Sequence, residues 1–179
     1  MIRPAELSDR PHFLRLWSRM MTEQEKEGSH LKANLANLYR CLDLFEGYIT
    51  GSLFGFCILY QPEDREPVGA VMAGELAVPD EFETDLGRLA TLWGVYVDTP
   101  YRGQGIGVKL LARAYELGSE IGFDAVETYV RAGNTHGERM AEACDPTVYM
   151  RQHVSLLRDP KMFDNEEAQK ALAREVSDD

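Results

Sequence analysis

The chain has no apolar run approaching the ~20 residues that a membrane-spanning helix needs, and its N-terminus lacks the charged-then-apolar layout of a secretory signal. A cytoplasmic location with no membrane partner is the expectation. Cysteine is scarce: Cys41, Cys57 and Cys144 stand isolated and odd in number. That suits reduced thiols and argues against a disulfide framework or a cysteine-based zinc site. His136 and His153 find no third ligand at a supporting spacing, so no metal is expected. Positive charge is also short, with 19 Lys and Arg against 30 Asp and Glu and a formal net charge of −11. A nucleic-acid partner needs a basic footprint and is excluded on that ground. The acidity leaves room for a cationic acceptor, and equally serves to keep a surface soluble. No repeat, low-complexity tract or linker divides the chain.

What is present is enough for one buried core. The 179 residues, 44% hydrophobic and 27% charged, suffice for one domain and fall short of two. We expect a single domain over residues 1–160 and a charged helix with an acidic tail over 161–179. Ile2 to Pro4 reads as extended, and Ser8 or Asp9 before Pro11 starts a helix that should run to about Thr22. Leu31, Leu35, Leu38 and Leu42 form a second helical stripe ending near Leu44, with the charged run Glu23 to Glu27 between the two. From Gly47 the composition turns to glycine, aromatic and β-branched residues, and two strands joined by a polar turn with Pro62 and Pro67 make a β-hairpin. An acidic loop from Ala77 to Gly87 leads into a strand from Leu89 to Val97, and Ala125 to Val130 is a further strand. Thr147 to Leu157 should supply closing strands, and Asn165 to Val176 a short helix.

The centre of the chain is Val95 to Leu111, VYVDTPYRGQGIGVKLL. A strand ends at Asp98, Thr99 and Pro100, and three glycines at alternate positions lead into a helix with an apolar face of Ile106, Leu110, Ala114, Leu117 and Ile121. Gly103, Gly105 and Gly107 leave backbone N–H groups uncovered at the positive end of a helix, which makes a cradle for an anion, best a phosphate. Lys109 is placed wrongly for a P-loop, and Val108 or Leu110 stands where a dinucleotide fingerprint requires its third glycine. What fits is Gln or Arg, two residues, Gly, one residue, Gly or Ala, here Arg102, Gly105 and Gly107. With Val97-Asp98, Tyr101 to Gly107 and Leu110-Leu111, this stretch resembles the acetyl-CoA-binding motif of the GNAT superfamily of N-acetyltransferases.

The resemblance implies an α/β (α+β) GNAT fold, with a central mixed, mostly antiparallel sheet of about six to seven strands flanked by about four helices. It implies acetyl-CoA as cosubstrate, the pyrophosphate held by Arg102, Gly103, Gln104, Gly105, Ile106, Gly107 and Val108. The pantetheine arm would lie along Val95, Tyr96 and Val97, where the next strand splays away, and a backbone N–H near Val97 would polarise the thioester. Asn134 matches the asparagine that opens the family's second motif and contacts the cofactor; by residue type alone it also suits a helix N-cap. The family's usual tyrosine and Gly-Phe pair are replaced by Ala141 and Asp145-Pro146. The catalytic pair therefore stays open. Glu75 and Tyr149 are weak candidates, and Tyr129, His136 and His153 are available by residue type. The implied reaction is direct attack of a primary amine, of a small molecule or a protein, on acetyl-CoA in a ternary complex. The alternative is a catalytically silent GNAT-fold module that binds acyl-CoA. Exposed sheet edges also allow a homodimer.

Overall fold

A computed structural model describes residues 1–28, 32–75, 87–130 and 134–143. Strand β1 (Ile2–Pro4) is followed by helices α1 (Arg10–Lys26) and α2 (Leu35–Thr50), the hairpin β2 (Gly55–Tyr60) and β3 (Gly69–Glu75), then β4 (Leu89–Val97), α3 (Ile106–Glu120), β5 (Ala125–Thr128) and α4 (Thr135–Glu142). The five strands form one mixed sheet in the order β1-β2-β3-β4-β5. The first three pairings are antiparallel, and β4 with β5 is parallel. The expected closing strands over Thr147 to Leu157, the tail helix, Cys144 and the acidic loop as far as Leu86 lie outside the described residues. Among the described residues no helix is long and apolar enough to cross a membrane.

The sheet is covered on both faces. On one, Phe13, Leu16, Trp17, Met20 and Met21 of α1 and Leu42, Phe45 and Tyr48 of α2 close over Cys57, Leu59, Ala70, Met72 and Tyr96. Phe13 is fully buried, with ring centroids 4.8 Å from Trp17 and 4.5 Å from Phe45. On the other, Ile106, Leu110, Leu111 and Ala114 of α3 pack on Ile58, Val71, Ala73, Ala90 and Leu92. The period-2 alternation of β4 divides its side chains between these two cores.

Several boundaries differ from the sequence reading, among them β5, expected over Ala125 to Val130, which ends at Thr128. Helix α1 continues through the charged run to Lys26 instead of stopping near Thr22, and from its last turns Glu23 bonds Arg102 and Tyr96. Helix α2 runs to Thr50, so Gly47 to Thr50 is helix rather than the start of the hairpin. Its apolar stripe continues through Phe45 and Tyr48, and the helix ends at Gly51 in the left-handed conformation, φ 74°. Gly47 is placed by packing: a Cβ there would meet Leu53 Cδ1 at 2.5 Å. Gly118, read as marking the end of the cradle helix, lies inside α3, and Gly122 follows the helix at φ 97°.

Candidate active site

The site begins where β4 leaves β5. The two strands pair from Leu89↔Ala125 to Leu92↔Thr128, whereas β4 stays paired with β3 through Val97↔Gly69. The second half of β4 therefore has one ladder edge with no strand of the described residues on it. Trp93 is the extra residue of a β-bulge, since Met72 pairs with Gly94 and Ala73 with Leu92. A bulge kinks its strand and ends pairing on one side. Alternate residues of an antiparallel strand turn their N–H and C=O to the same side. The Asp98 N–H donates to the Val68 carbonyl at 2.8 Å, so Val95 and Val97 turn their backbone groups the other way, into the gap.

At the mouth of that gap stands the glycine cradle. Thr99–Tyr101 makes one 3₁₀ turn after Asp98, and Gly105 is the N-cap of α3 with φ 74°. Gly103 is also left-handed at φ 75°. Only a residue without Cβ takes this conformation freely. A Cβ at either position would meet nothing within 4 Å, so the space above the loop is open. No side chain caps α3, and the N–H groups of its first turn, Ile106, Gly107 and Val108, have no intrahelical acceptor. Gly107 differs, because a Cβ there would stand 3.0 Å from Met140 Sδ of α4.

The turn is anchored to α1. Buried Asp98 accepts from Arg15 Nη1 at 2.7 Å and Arg19 Nη1 at 2.8 Å. Arg102 does not extend over the cradle. Its Nε donates to the Val97 carbonyl at 2.8 Å, its Nη2 pairs with Glu23, and its guanidinium carbon lies 5.2 Å from the centre of the Tyr96 ring. Tyr96, whose hydroxyl donates to Glu23 Oε1 at 2.8 Å, is buried on the α1 face. Burial opposes the charge on Glu23, but the hydrogen bonds from Arg102 and Tyr96 outweigh it and hold the carboxyl below its usual range. Burial, then the bond and charge of Glu23, pushes the Tyr96 phenol up to about 12. A cleft of about 340 Å³ opens beside this group, between α1 and the turn at Thr99 and Pro100.

Asn134 caps α4, its Oδ1 accepting from the Gly137 N–H at 3.0 Å. Ala141 lies on that helix. Glu75 ends β3 opposite Ala90, and its carboxylate accepts from Arg88 Nε at 2.6 Å, the guanidinium lying 3.5 Å over the Phe54 ring. Tyr149 and His153 fall outside the described residues. Among those described, no group of three His, Cys, Asp and Glu side chains could hold a metal ion.

A second set of residues, of which the sequence offers only Tyr129 by residue type, gathers on the α1/α2 face where the strands part. Buried Thr91 donates from Oγ1 to Glu127 Oε1 at 2.6 Å, and Tyr129 donates to Glu127 Oε2 at 3.0 Å. Trp93, 44% exposed, donates from Nε1 to the Tyr48 hydroxyl at 2.9 Å. The Tyr48 side chain fits over the cross-strand pair Gly55 and Gly74, where a Cβ at Gly55 would meet its ring at 2.5 Å and a Cβ at Gly74 would run into its hydroxyl. The two glycines inside strands were the available signal. The parallel register that brings Thr91 to Glu127 is not written in either strand alone.

The cradle and the parted strands are the features by which the chain can be compared. The family model described as acetyltransferase (GNAT) family matches residues 12–145. The chain belongs to the GNAT acetyltransferase family. No curated protein matches the sequence. Among solved structures, it is similar to AAC(6')-Iy in complex with a CoA-S-monomethyl-acetylneamine bisubstrate analog, with 14% identity, TM-score 0.64, and 89% of this chain and 98% of that one covered. It is also similar to an aminoglycoside acetyltransferase from an uncultured soil metagenomic sample, in complex with sisomicin, with 20% identity, TM-score 0.61, and coverage of 89% and 95%. A third is the ribosomal-protein-alanine N-acetyltransferase from Brucella melitensis, with 22% identity, TM-score 0.64, and coverage of 81% and 83%. At these identities the likeness is one of fold.

Proposed function

We propose that the protein is an acetyl-CoA-dependent N-acetyltransferase that passes the acetyl group to a primary amine by direct attack in a ternary complex. The observation that carries this reading is the parting of β4 from β5 after Leu92 and Thr128, directly before a glycine cradle with open space above it. The fit to the cosubstrate is chemical. A pyrophosphate needs clustered N–H donors, which the first turn of α3 offers at its positive end. An amide-rich arm needs a strand edge, which Val95 and Val97 offer, and adds to the sheet as a peptide would.

Acetyl-CoA supplies an activated acyl group on a thiol that leaves readily. The chain's part is to hold that group still and to polarise its carbonyl. An N–H of Val95 or Val97, fixed in the sheet and facing the gap, is a preorganised donor that needs no reorganisation. Arg102 occupies the Val97 carbonyl and so ties the loop to the end of β4, while Asp98 ties it to α1. Asn134 fixes the start of α4 beside the cradle. Glu75 and Tyr149 carry no observation that makes them catalytic. The similar structures named above include enzymes for aminoglycoside and protein amines, and we read the acceptor of this chain as a primary amine of a small molecule or a protein.

The direct test is mass spectrometry of an amine panel after incubation with acetyl-CoA and the protein. Transfer adds one acetyl group to a nitrogen of one amine class. A panel left unchanged by protein that binds CoA would contradict transfer and favour the silent acyl-CoA-binding module.

A further inference from the structure

Glu127 stands on β5 opposite Thr91, one register step before the last pair of the parallel ladder. Thr91 and Glu127 face away from α3, whose Tyr115 hydroxyl lies 3.4 Å from that of the intervening Thr128. That puts the carboxylate on the same face as Trp93 and Tyr96, at the apex of the gap. It is gripped from two sides, one oxygen by Thr91 and the other by Tyr129. An ionised carboxylate has about four lone-pair sites, so two remain for a proton donor.

The other carboxylates of this region are already spent on cations: Glu75 on Arg88, Glu23 on Arg102, and Asp98 on Arg15 and Arg19. Glu127 has only neutral hydroxyl donors among the described residues, which fix its orientation at the apex of the gap and leave it without a cation partner there. Beside it on β4, Trp93 is exposed but held by its bond to Tyr48. An indole face of fixed orientation attracts an ammonium group.

We propose that Glu127 receives the proton of the acceptor's ammonium group, with Thr91 and Tyr129 as its positioning residues and Trp93 as the wall of a seat for a cationic amine. This rests on the acetyltransferase reading above. The ammonium gives one proton to Glu127, and the freed nitrogen lone pair forms the C–N bond to the acetyl carbon while the C–S bond breaks. A second proton from that nitrogen goes to the departing thiolate, and Glu127 returns its own to solvent. The products are the amide, the free thiol and one proton.

Glu127→Gln keeps the size of the side chain and removes its basicity. It should bind CoA as wild type does by calorimetry, yet lose ~10²–10⁴-fold in kcat/KM at neutral pH. The deficit should shrink as pH rises toward the amine's own pKa near ~10, where the acceptor is already neutral. Thr91→Val should lower kcat more than it raises KM, with a displaced pH profile. A readout independent of turnover comes from fluorescence, because Trp17 is buried and only Trp93 meets solvent. Titration with spermidine and with sisomicin should perturb Trp93 in wild type, and less so in Glu127→Gln. Wild-type kcat/KM and pH profile in Glu127→Gln would overturn the proposal while leaving the transferase reading intact. If wild type binds CoA but acetylates no amine, the transferase reading fails and this proposal falls with it. Should Glu127→Gln lose CoA binding, Glu127→Asp decides: reduced activity with a displaced pH profile supports the proposal, and an unchanged profile overturns it.

Discussion

At the scale of single residues, the site depends on conformations and charges that one substitution can remove. Gly105 is left-handed and faces open space, so any side chain there both strains the backbone, by about 1–2 kcal/mol, and enters the proposed phosphate seat. Gly107 is the poorer probe, since its missing Cβ makes room for Met140 as much as for a ligand. Away from the site, Asp9 shows how charge fixes the start of the fold. Arg3 grips both its oxygens at 2.7 Å, the Glu6 N–H adds a third bond at 2.9 Å, and together these hold the carboxyl below its usual range against the cost of burial. A lowered folded pKa gives stability that is complete above the unfolded value near ~3.9 and is lost as pH falls through the folded one. Urea unfolding should therefore find Asp9→Asn less stable than wild type at pH 7, with the gap closing in acid. An unchanged gap at pH 3 would contradict this. Asp9 read from sequence only as a helix start. Its ion pair with Arg3 needs the chain entering the sheet to lie beside the chain entering α1.

At the scale of elements, the sequence was most legible where one pattern ran unbroken. The β-branched and aromatic run of β4 and the apolar stripe of α3 appear where periodicity puts them, because each packs one face on a core as its pattern demands. The end of α2 was misread because Gly47, Tyr48, Ile49 and Thr50 have strand-like composition. Packing of Tyr48 on the glycines of the hairpin overrides local preference. The splay of β4 and β5 is implied by the resemblance and not by either strand's residues; it begins after Leu92 and Thr128. It makes a prediction of its own. Amide hydrogen exchange at Val95 and Val97 should slow on adding CoA, as a ligand takes up that open edge. The amide of Tyr96, which turns toward β3, should change little. Equal slowing along all of β4 would point to general tightening instead.

At the scale of the whole molecule, two cores on opposite faces of one sheet hold the cradle and the proposed acceptor face apart. The α3 core fixes the glycine loop, and the α1/α2 core fixes Tyr48, Trp93 and the turn at Asp98. The proposed cofactor half is readable from sequence because its residues sit in one continuous stretch, Val95 to Val108. The proposed acceptor half is not, because Thr91, Trp93, Glu127 and Tyr129 come together only through strand register. The measurement that bears most directly on the central claim is a calorimetric titration of CoA into wild type and into Gly105→Val. If the cradle and the parted strands are the acetyl-CoA seat, wild type binds and the folded variant loses at least tenfold in affinity, roughly 1.4 kcal/mol. Equal affinity in the two, or no binding by wild type, would contradict it.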